Sequence, residues 1–298
     1  MNEFEFILED RIGKIKAINS QYDLEHNAYI SFSGGKDSTV LHYLIDMALP
    51  DNKIPRVFIN TGIEYKYIRE FVSDMAKKDD RIIIINQKRN IKKTLEQYGY
   101  PFKSKEHSLR VQQFNDGKNS NYIKKYISGY DVNGKKSSFV CPKKLLYQFD
   151  EIGKYNYSNK CCYKLKKDLA NKWEKDNKKK IVITGMRKDE GGNRKRLGCL
   201  SNKGKNFHPL IVVDEKWENW FIERERVQLC KLYYPPFNFV RTGCKGCPFA
   251  LKLQDQLDVM EKLLPNEYKQ CEILWKPVYD EYRRLNYRLE RNHNIRLW

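Results

Sequence analysis

Short apolar runs alternate with amphipathic stretches through much of the chain. AYISF at 28–32 is compact and apolar and predicts a buried strand. STVLHYLIDMAL at 38–49 puts Val40, Leu41, Leu44, Ile45 and Ala48 at helical spacing. RVFIN at 56–60 predicts a second strand, followed by TGIEY and a helix to about Lys77. RIIIIN at 81–86 predicts a third strand, and NIKKTLEQYGY at 90–100 a short helix stopped at Gly99. A helix over roughly 162–176 leads to a fourth strand in KKIVITGM at 179–186. Such alternation predicts an α/β fold: a mainly parallel sheet with helices on both faces.

The alternation fails over 103–160, where Gly, Asn, Ser and Lys crowd KSKEHSLRVQQFNDGKNSNYIKKY and SGYDVNGKKSSF. This stretch reads as an insertion beside the site that could close as a lid. From about Ala250 the pattern is helical again, through Leu257, Met260, Leu263 and Leu264, then Ile273, Val278 and Tyr282. Pro265 and Asn266 divide it into two helices. The expected organisation is an α/β domain over 1–250 with an insertion at 103–160, then a helical C-terminal extension over 251–298. No internal repeat is evident.

Composition changes this picture little. The 298 residues are 40% hydrophobic, enough for a sizeable core. No run of 18 apolar residues occurs, so no membrane span is expected. MNEFEFILEDR lacks the apolar core of a secretory signal, so the expected location is the cytoplasm. Charge matters more. The net charge is +19, and residues 160–206 hold 16 Lys/Arg against 5 Asp/Glu, a net of +11. Such a segment should attract phosphate, sulfate or nucleic acid. A solvated, Lys- and Asn-rich surface explains it equally well.

The chemistry starts at SGGKDST, residues 33–39, between the first strand and the first helix. Gly34 and Gly35 let the backbone turn tightly and bring N–H groups close to an anion. A helix starting near Ser38 adds its positive end. Ser33, Ser38 and Thr39 add hydroxyls, and Lys36 adds charge. The spacing is not that of a Walker A loop. The position, at the carboxyl end of a strand, is where open α/β sheets bind ligands.

SGGKDS resembles the PP-loop of the adenine-nucleotide α-hydrolase-like superfamily. VFINTGIEY (57–65) is similar to the second-strand motif of its phosphoadenylyl-sulfate (PAPS) reductase branch. ITGMRKDEGGNR (183–194) resembles that branch's arginine segment, and HPLIVVDEKWENWFIE (208–223) its Pro-Leu and tryptophan segment. The resemblance covers about residues 25–250, with the motifs in order. It implies a site for ATP, adenylyl sulfate (APS) or PAPS. Ser33, Gly34, Gly35, Lys36, Asp37, Ser38, Thr39, Thr61, Gly62, Glu64, Gly185 and Arg187 would bind it. Lys36, Asp37, Arg187 and Arg194 would carry the catalysis. Asp37 would order the loop or help place Mg²⁺, and Glu64 and Asp189 could hold ribose hydroxyls or Mg²⁺.

Eight cysteines in a chain expected in the cytoplasm argue against a disulfide framework. Cys161-Cys162 and Cys244-x-x-Cys247 stand out. Adjacent cysteines suit one tetrahedral zinc poorly, whereas an iron–sulfur cubane offers them separate irons. The pattern resembles the [4Fe–4S] site of bacterial APS reductases, and DNA phosphorothioation sulfurtransferases of the superfamily also carry a cluster. The resemblance implies Cys161, Cys162, Cys244 and Cys247 as ligands. Cys141 or Cys271 could replace one of them; structural zinc and unligated thiols remain alternatives. Tyr233, Tyr234, Phe237 and Phe239 are expected to shield the cluster.

Three activities remain open. The favoured one is ATP-dependent adenylation with release of pyrophosphate, then sulfur transfer to an acceptor that could be nucleic acid. The partner would be an electron or sulfur donor protein. The second is an APS or PAPS reductase. Those reductases use a cysteine near the C-terminus as nucleophile, and the tail YRRLNYRLERNHNIRLW has none; Cys271 is nearest. The third is a non-catalytic nucleotide-binding partner with a structural cluster.

Overall fold

The computed structural model describes residues 2–118, 120–189 and 191–290, without the side chains of residues 192 and 193. Glu190 of the basic segment and residues 291–298 of the expected helical extension lie outside the described residues. The chain forms two compact units. The first comprises Met1–Gln87 and Asp168–Gly243, the second Lys88–Lys167 and Cys244–Trp298. The expected insertion and the C-terminal helices thus fall together in the second unit.

The first unit is built on a six-stranded sheet. Its strands are β1 (Ala28–Ser31), β2 (Arg56–Asn60), β3 (Ile82–Asn86), β4 (Ile181–Ile183), β5 (Leu200–Ser201) and β6 (Asn206–Phe207). Their spatial order is β3-β2-β1-β4-β6-β5. Every neighbouring pair is parallel except β5 with β6. The chain runs outward from β1 through β2 to β3, then returns to the other side of β1 with β4. The order therefore reverses between β1 and β4, where open α/β sheets leave a crevice at the carboxyl ends of the strands.

Numbered along the chain, the helices of this unit are α1 (Glu3–Tyr22), α2 (Leu24–Asn27), α3 (Lys36–Ala48), α4 (Lys66–Ala76), α9 (Asp168–Asp176) and α10 (Glu215–Arg224). Helix α1 was not expected from the pattern. Its buried Leu8, Arg11, Ile15 and Ile18 form a stripe that the charges between them disguise. A capping box fixes its start: Glu5 N–H donates to Asn2 and Asn2 N–H to Glu5. Val40, Leu41, Leu44 and Ile45 of α3, together with Trp217 and Phe221 of α10, join β1 and β4 in the core.

One buried polar knot interrupts this apolar body. Arg56, fully buried on β2, donates to His42 Nδ1 (3.1 Å) and Asn52 Oδ1 (2.8 Å) and pairs with Asp46 (2.5 Å). Arg81 pairs with Asp46 and Asp79. Burial, then Arg56, holds the His42 imidazole down at about 4. Among the described residues, His42, Asp46 and Asp79 are the only three potential metal ligands within 4.8 Å of one another. Two guanidiniums already hold the carboxylates there, so the knot is structural.

In the second unit the helices are α5 (Ile91–Tyr98), α6 (Lys105–Asn115), α7 (Asn121–Ser128), α8 (Lys160–Cys162), α11 (Leu253–Leu263) and α12 (Pro265–Arg284). The segment 103–160 is thus more regular than its composition suggests. Ser104 and Ser120 cap α6 and α7 by accepting from His107 N–H and Ile123 N–H. His107 is fully buried, bonded to Tyr126 and Gln148 at 2.8 Å each, and burial holds it down at about 4. The division of the tail at Pro265 is as the pattern predicts. No helix among the described residues is long and apolar enough to cross a membrane.

Candidate functional site

The loop 33–39 follows β1 directly, but α3 starts at Lys36 rather than near Ser38. Gly35 caps the helix without a side-chain bond, so Lys36 and Asp37 occupy the first turn. Gly34 has φ +68, and a Cβ there would lie 2.6 Å from a methyl of Val72, so glycine alone fits. Ser38 Oγ and Thr39 Oγ1 donate to the Gly35 carbonyl at 2.9 and 3.0 Å, and Ser33 Oγ sits 3.0 Å from Ser38 Oγ. The hydroxyls thus brace the turn. Two of its N–H groups also have partners: Gly35 N–H donates to Ser33 Oγ (3.3 Å) and Lys36 N–H to Tyr233 Oη (2.9 Å).

The turn after β4 meets the start of α3. A Cβ on Gly185 would lie 2.7 Å from the Asp37 carbonyl oxygen, so this approach requires glycine. It brings in Arg187, whose Nε lies 3.1 Å from Asp37 Oδ1 and 3.4 Å from Asp189 Oδ1. Both cations then converge on one atom that sequence reasoning did not single out. Glu218 Oε2 accepts from Arg187 Nη1 at 2.8 Å and pairs with Lys36 Nζ at 3.3 Å. Lys36 Nζ also reaches Glu215 at 3.4 Å. Glu218 is fully buried, and its Oε1 has no hydrogen-bond partner. Burial, then Asp37, pushes its carboxyl up to about 7. Two cations and a helix N-terminus at the sheet's reversal point can bind phosphate or sulfate oxygens.

The other expected nucleotide residues are placed less directly. Thr61 N–H and Oγ1 donate to the Glu64 carboxylate at 2.9 Å, folding the buried Glu64 back onto the turn after β2. Gly62, within that turn, has φ +84. Arg194 is half-buried on a separate turn, Gly192–Arg196. Three of the four aromatic residues expected to shield a cluster have partners within the first unit. Tyr233 also bonds Thr242 Oγ1 at 2.5 Å, Phe239 packs on Tyr65 and Phe237 on Tyr67. The chain passes into the second unit at Cys244, just after these residues.

The four expected ligands all belong to the second unit. Cys161 and Cys162 end helix α8, and a single π-helical turn, Tyr163–Lys167, follows. Such turns often mark functional positions. Cys161 Sγ donates to Cys162 Sγ at 4.0 Å. That bond, aided by Lys105, Lys166 and Lys167 against the effect of burial, lowers the Cys162 thiol to about 6. The Cys161 thiol is pushed far up by the same bond and burial, and further by Cys162, Cys247 and Cys244. Burial, then Cys244, pushes Cys247 up. The four sulfurs therefore act on one another electrostatically. No three of them lie within 4.8 Å of one another, whereas tetrahedral zinc would draw its sulfurs to about 3.8 Å.

Helix α12 holds the CxxC turn from below. Trp275 Nε1 donates to the Lys245 carbonyl (3.1 Å), Tyr279 Oη to that of Gly246, and Tyr282 Oη to that of Pro248 (2.9 Å). These residues sit at i, i+4 and i+7, one face of the helix. Cys271 is fully buried; a Cβ on Gly246 (φ +58) would lie 2.8 Å from its sulfur. Burial pushes its thiol up to about 12. Burial likewise raises Cys141 to about 11, beside Lys103 and Tyr126.

The model of the phosphoadenosine phosphosulfate reductase domain matches residues 27–136 and 118–250. An uncharacterised protein of Methanocaldococcus jannaschii is 32% identical over 151 residues, which cover 47% of this chain and 36% of that protein. The chain therefore spans about a third of the length of the curated relative it matches. Similar solved structures include the PAPS reductase of Candida auris in a phosphate complex, at 14% identity and TM-score 0.41, covering 73% of this chain and 82% of that one. The U34-tRNA thiolase NcsA of Methanococcus maripaludis with its [4Fe–4S] cluster aligns at 18% identity and TM-score 0.39, covering 95% and 82%. The ammonia-dependent NAD synthetase of Campylobacter jejuni aligns at 14% identity and TM-score 0.41, covering 93% and 95%. Because the domain match takes in the loop at 33–39, the Gly185–Arg187 turn and both cysteine pairs, the chain belongs to the phosphoadenosine phosphosulfate reductase domain family.

Proposed function

We propose that the protein is an adenine-nucleotide-dependent sulfurtransferase that adenylates an acceptor with ATP. The observation that carries this reading is the convergence of Lys36 and Arg187 at the N-terminus of α3. There the loop and both cations would hold the phosphates of ATP. An acceptor oxygen attacks the α-phosphorus, the bond to the β-phosphate oxygen breaks, and pyrophosphate leaves. Lys36 and Arg187 stabilise the charge that develops, a preorganised role, with Arg194 as a further phosphate contact. Asp37 keeps Arg187 in place, and Mg²⁺ would accompany the nucleotide. A sulfide-level sulfur from a donor protein then displaces AMP from the acceptor. The basic segment 160–206 suits a nucleic acid as that acceptor.

Cys161, Cys162, Cys244 and Cys247 would hold a [4Fe–4S] cluster. The adjacency of Cys161 and Cys162 and the lysines beside Cys162 support an anionic thiolate cluster. When bound, it supplies a sulfur- or electron-carrying centre. A second reading, release of sulfite from APS or PAPS, is favoured by the family itself. Against it, Cys271 is a buried thiol with little thiolate character, poorly suited as nucleophile. In a third reading, nucleotide binds without turnover.

The test is an anaerobic assay on iron-replete protein. Pyrophosphate released from ATP in the presence of transfer RNA or DNA, without sulfite from APS or PAPS, is the expected result. Sulfite release would make the protein a reductase. Binding without either product would leave the non-catalytic reading.

A further inference from the structure

Glu218 is out of place for a surface helix that follows an ordinary amphipathic rule. It lies between Trp217 and Asn219 on α10, fully buried, with one carboxylate oxygen held by two cations and the other without a partner. Two N–H groups of the loop are already bonded, that of Gly35 to Ser33 and that of Lys36 to Tyr233. The cations are likewise engaged, and their shared anion is Glu218.

We infer that Glu218 is a resident counter-anion of the phosphate site, which holds Lys36 and Arg187 in register and takes up a proton when nucleotide phosphate replaces it as their partner. This rests on the reading that Lys36 and Arg187 bind the phosphates. Lys36, Arg187 and Asp37 bear on the carboxylate directly, and Asp189, Glu215 and Asn219 share its cations. Lys36 and Asp37 belong to α3, Arg187 and Asp189 to the turn after β4, and Glu215 and Asn219 to α10 itself. Lys36 and Arg187 favour its ionised form; burial and Asp37 oppose it. Phosphate oxygens would draw both cations away and add negative charge beside the carboxylate. Both changes favour the protonated acid. The orphaned Oε1 suits that state, since a protonated carboxyl gains a donor it can direct at a phosphate oxygen. Glu218 is thus a positioning residue that ties nucleotide affinity to pH.

The test is calorimetric titration of the 298-residue chain with MgATP at pH 8, in two buffers of different ionisation heat. Wild type should take up more than about half a proton per nucleotide. Its affinity should fall several-fold from pH 7 to pH 8. Glu218→Gln should lose that uptake and bind more tightly than wild type at pH 8, with little pH dependence. ATP's own titration is common to both proteins, so the difference isolates the carboxyl. A wild type that binds MgATP with no proton uptake overturns the inference without recourse to the variant. Equal uptake by both proteins also overturns it. A wild type that binds no nucleotide at any pH defeats the underlying reading of the site, and the inference with it.

Discussion

At the scale of single residues, close approach decides which side chains meet at the start of α3. Gly185 lets the turn after β4 touch the first turn of α3, and that contact delivers Arg187 to Asp37 and Glu218. Gly185→Ala should push the two apart. The expected cost is about 1–3 kcal/mol of stability and at least a several-fold weaker affinity for ATP, read by denaturant unfolding and calorimetry. Unchanged affinity would mean that Arg187 does not need this approach. The glycines, Lys36, Asp37 and Arg187 were legible in the sequence because the loop and arginine motifs have fixed local spacing. Glu218 was not. It sits in a segment that reads as a tryptophan-bearing core helix, and nothing in the order WENW marks one glutamate as buried against two cations. The arginine on β2 was hidden in the same way. RVFIN reads as an apolar strand, and only the fold shows Arg56 fully buried with His42, Asn52 and Asp46.

At the scale of elements, the four cysteines proposed as ligands stand on two supports: the π-turn after Cys162 and the CxxC turn gripped by α12. If the four named cysteines hold iron, Cys162→Ser and Cys244→Ser should each lose most bound iron and the visible absorbance. Cys141→Ser and Cys271→Ser should keep both. Iron loss in Cys271→Ser with unchanged far-ultraviolet dichroism would move Cys271 into the ligand set. The helical spacing of the tail was readable, and so was its break at Pro265. Its work was not, since Trp275, Tyr279 and Tyr282 look like core aromatics until their N–H and O–H groups are seen on the carbonyls of 245–248. The helices within 103–160 were not legible, because its many polar residues hide the periodicity; two of its serines are the caps that start α6 and α7.

At the scale of the molecule, acid should act on both units at once. His42 and His107 are held near 4 by burial, against about 6.5 in the unfolded chain. Both stay neutral in the fold, with Nδ1 accepting from Arg56 Nε and from Tyr126 Oη. As pH falls, the unfolded chain protonates first. Their contribution is therefore complete above pH 6.5 and lost between 6.5 and 4, at about 3 kcal/mol each. Glu218 acts in the opposite direction, since its carboxyl is raised and gains protons more readily in the fold. The comparison of variants isolates the histidines: His42→Gln and His107→Gln should each flatten the fall in urea stability between pH 6.5 and 4. Unaltered slopes would mean these rings titrate as they do in the unfolded chain. The parallel sheet was legible because four of its strands are apolar runs set between helices. The short strands β5 and β6 were not, since two residues carry no periodicity. The grouping of 88–167 with the tail from 244 was hidden as well, because it depends on contacts distant in sequence.

The central claim is that the loop at 33–39 holds an adenine nucleotide through Lys36. Equilibrium binding of labelled ATP to the 298-residue chain, wild type and Lys36→Ala, tests it most directly. The account predicts saturable binding in the wild type, weakened at least about tenfold in the variant by loss of a charge-assisted contact, with the iron content of both proteins unchanged. Equal ATP affinity in the two proteins would contradict it.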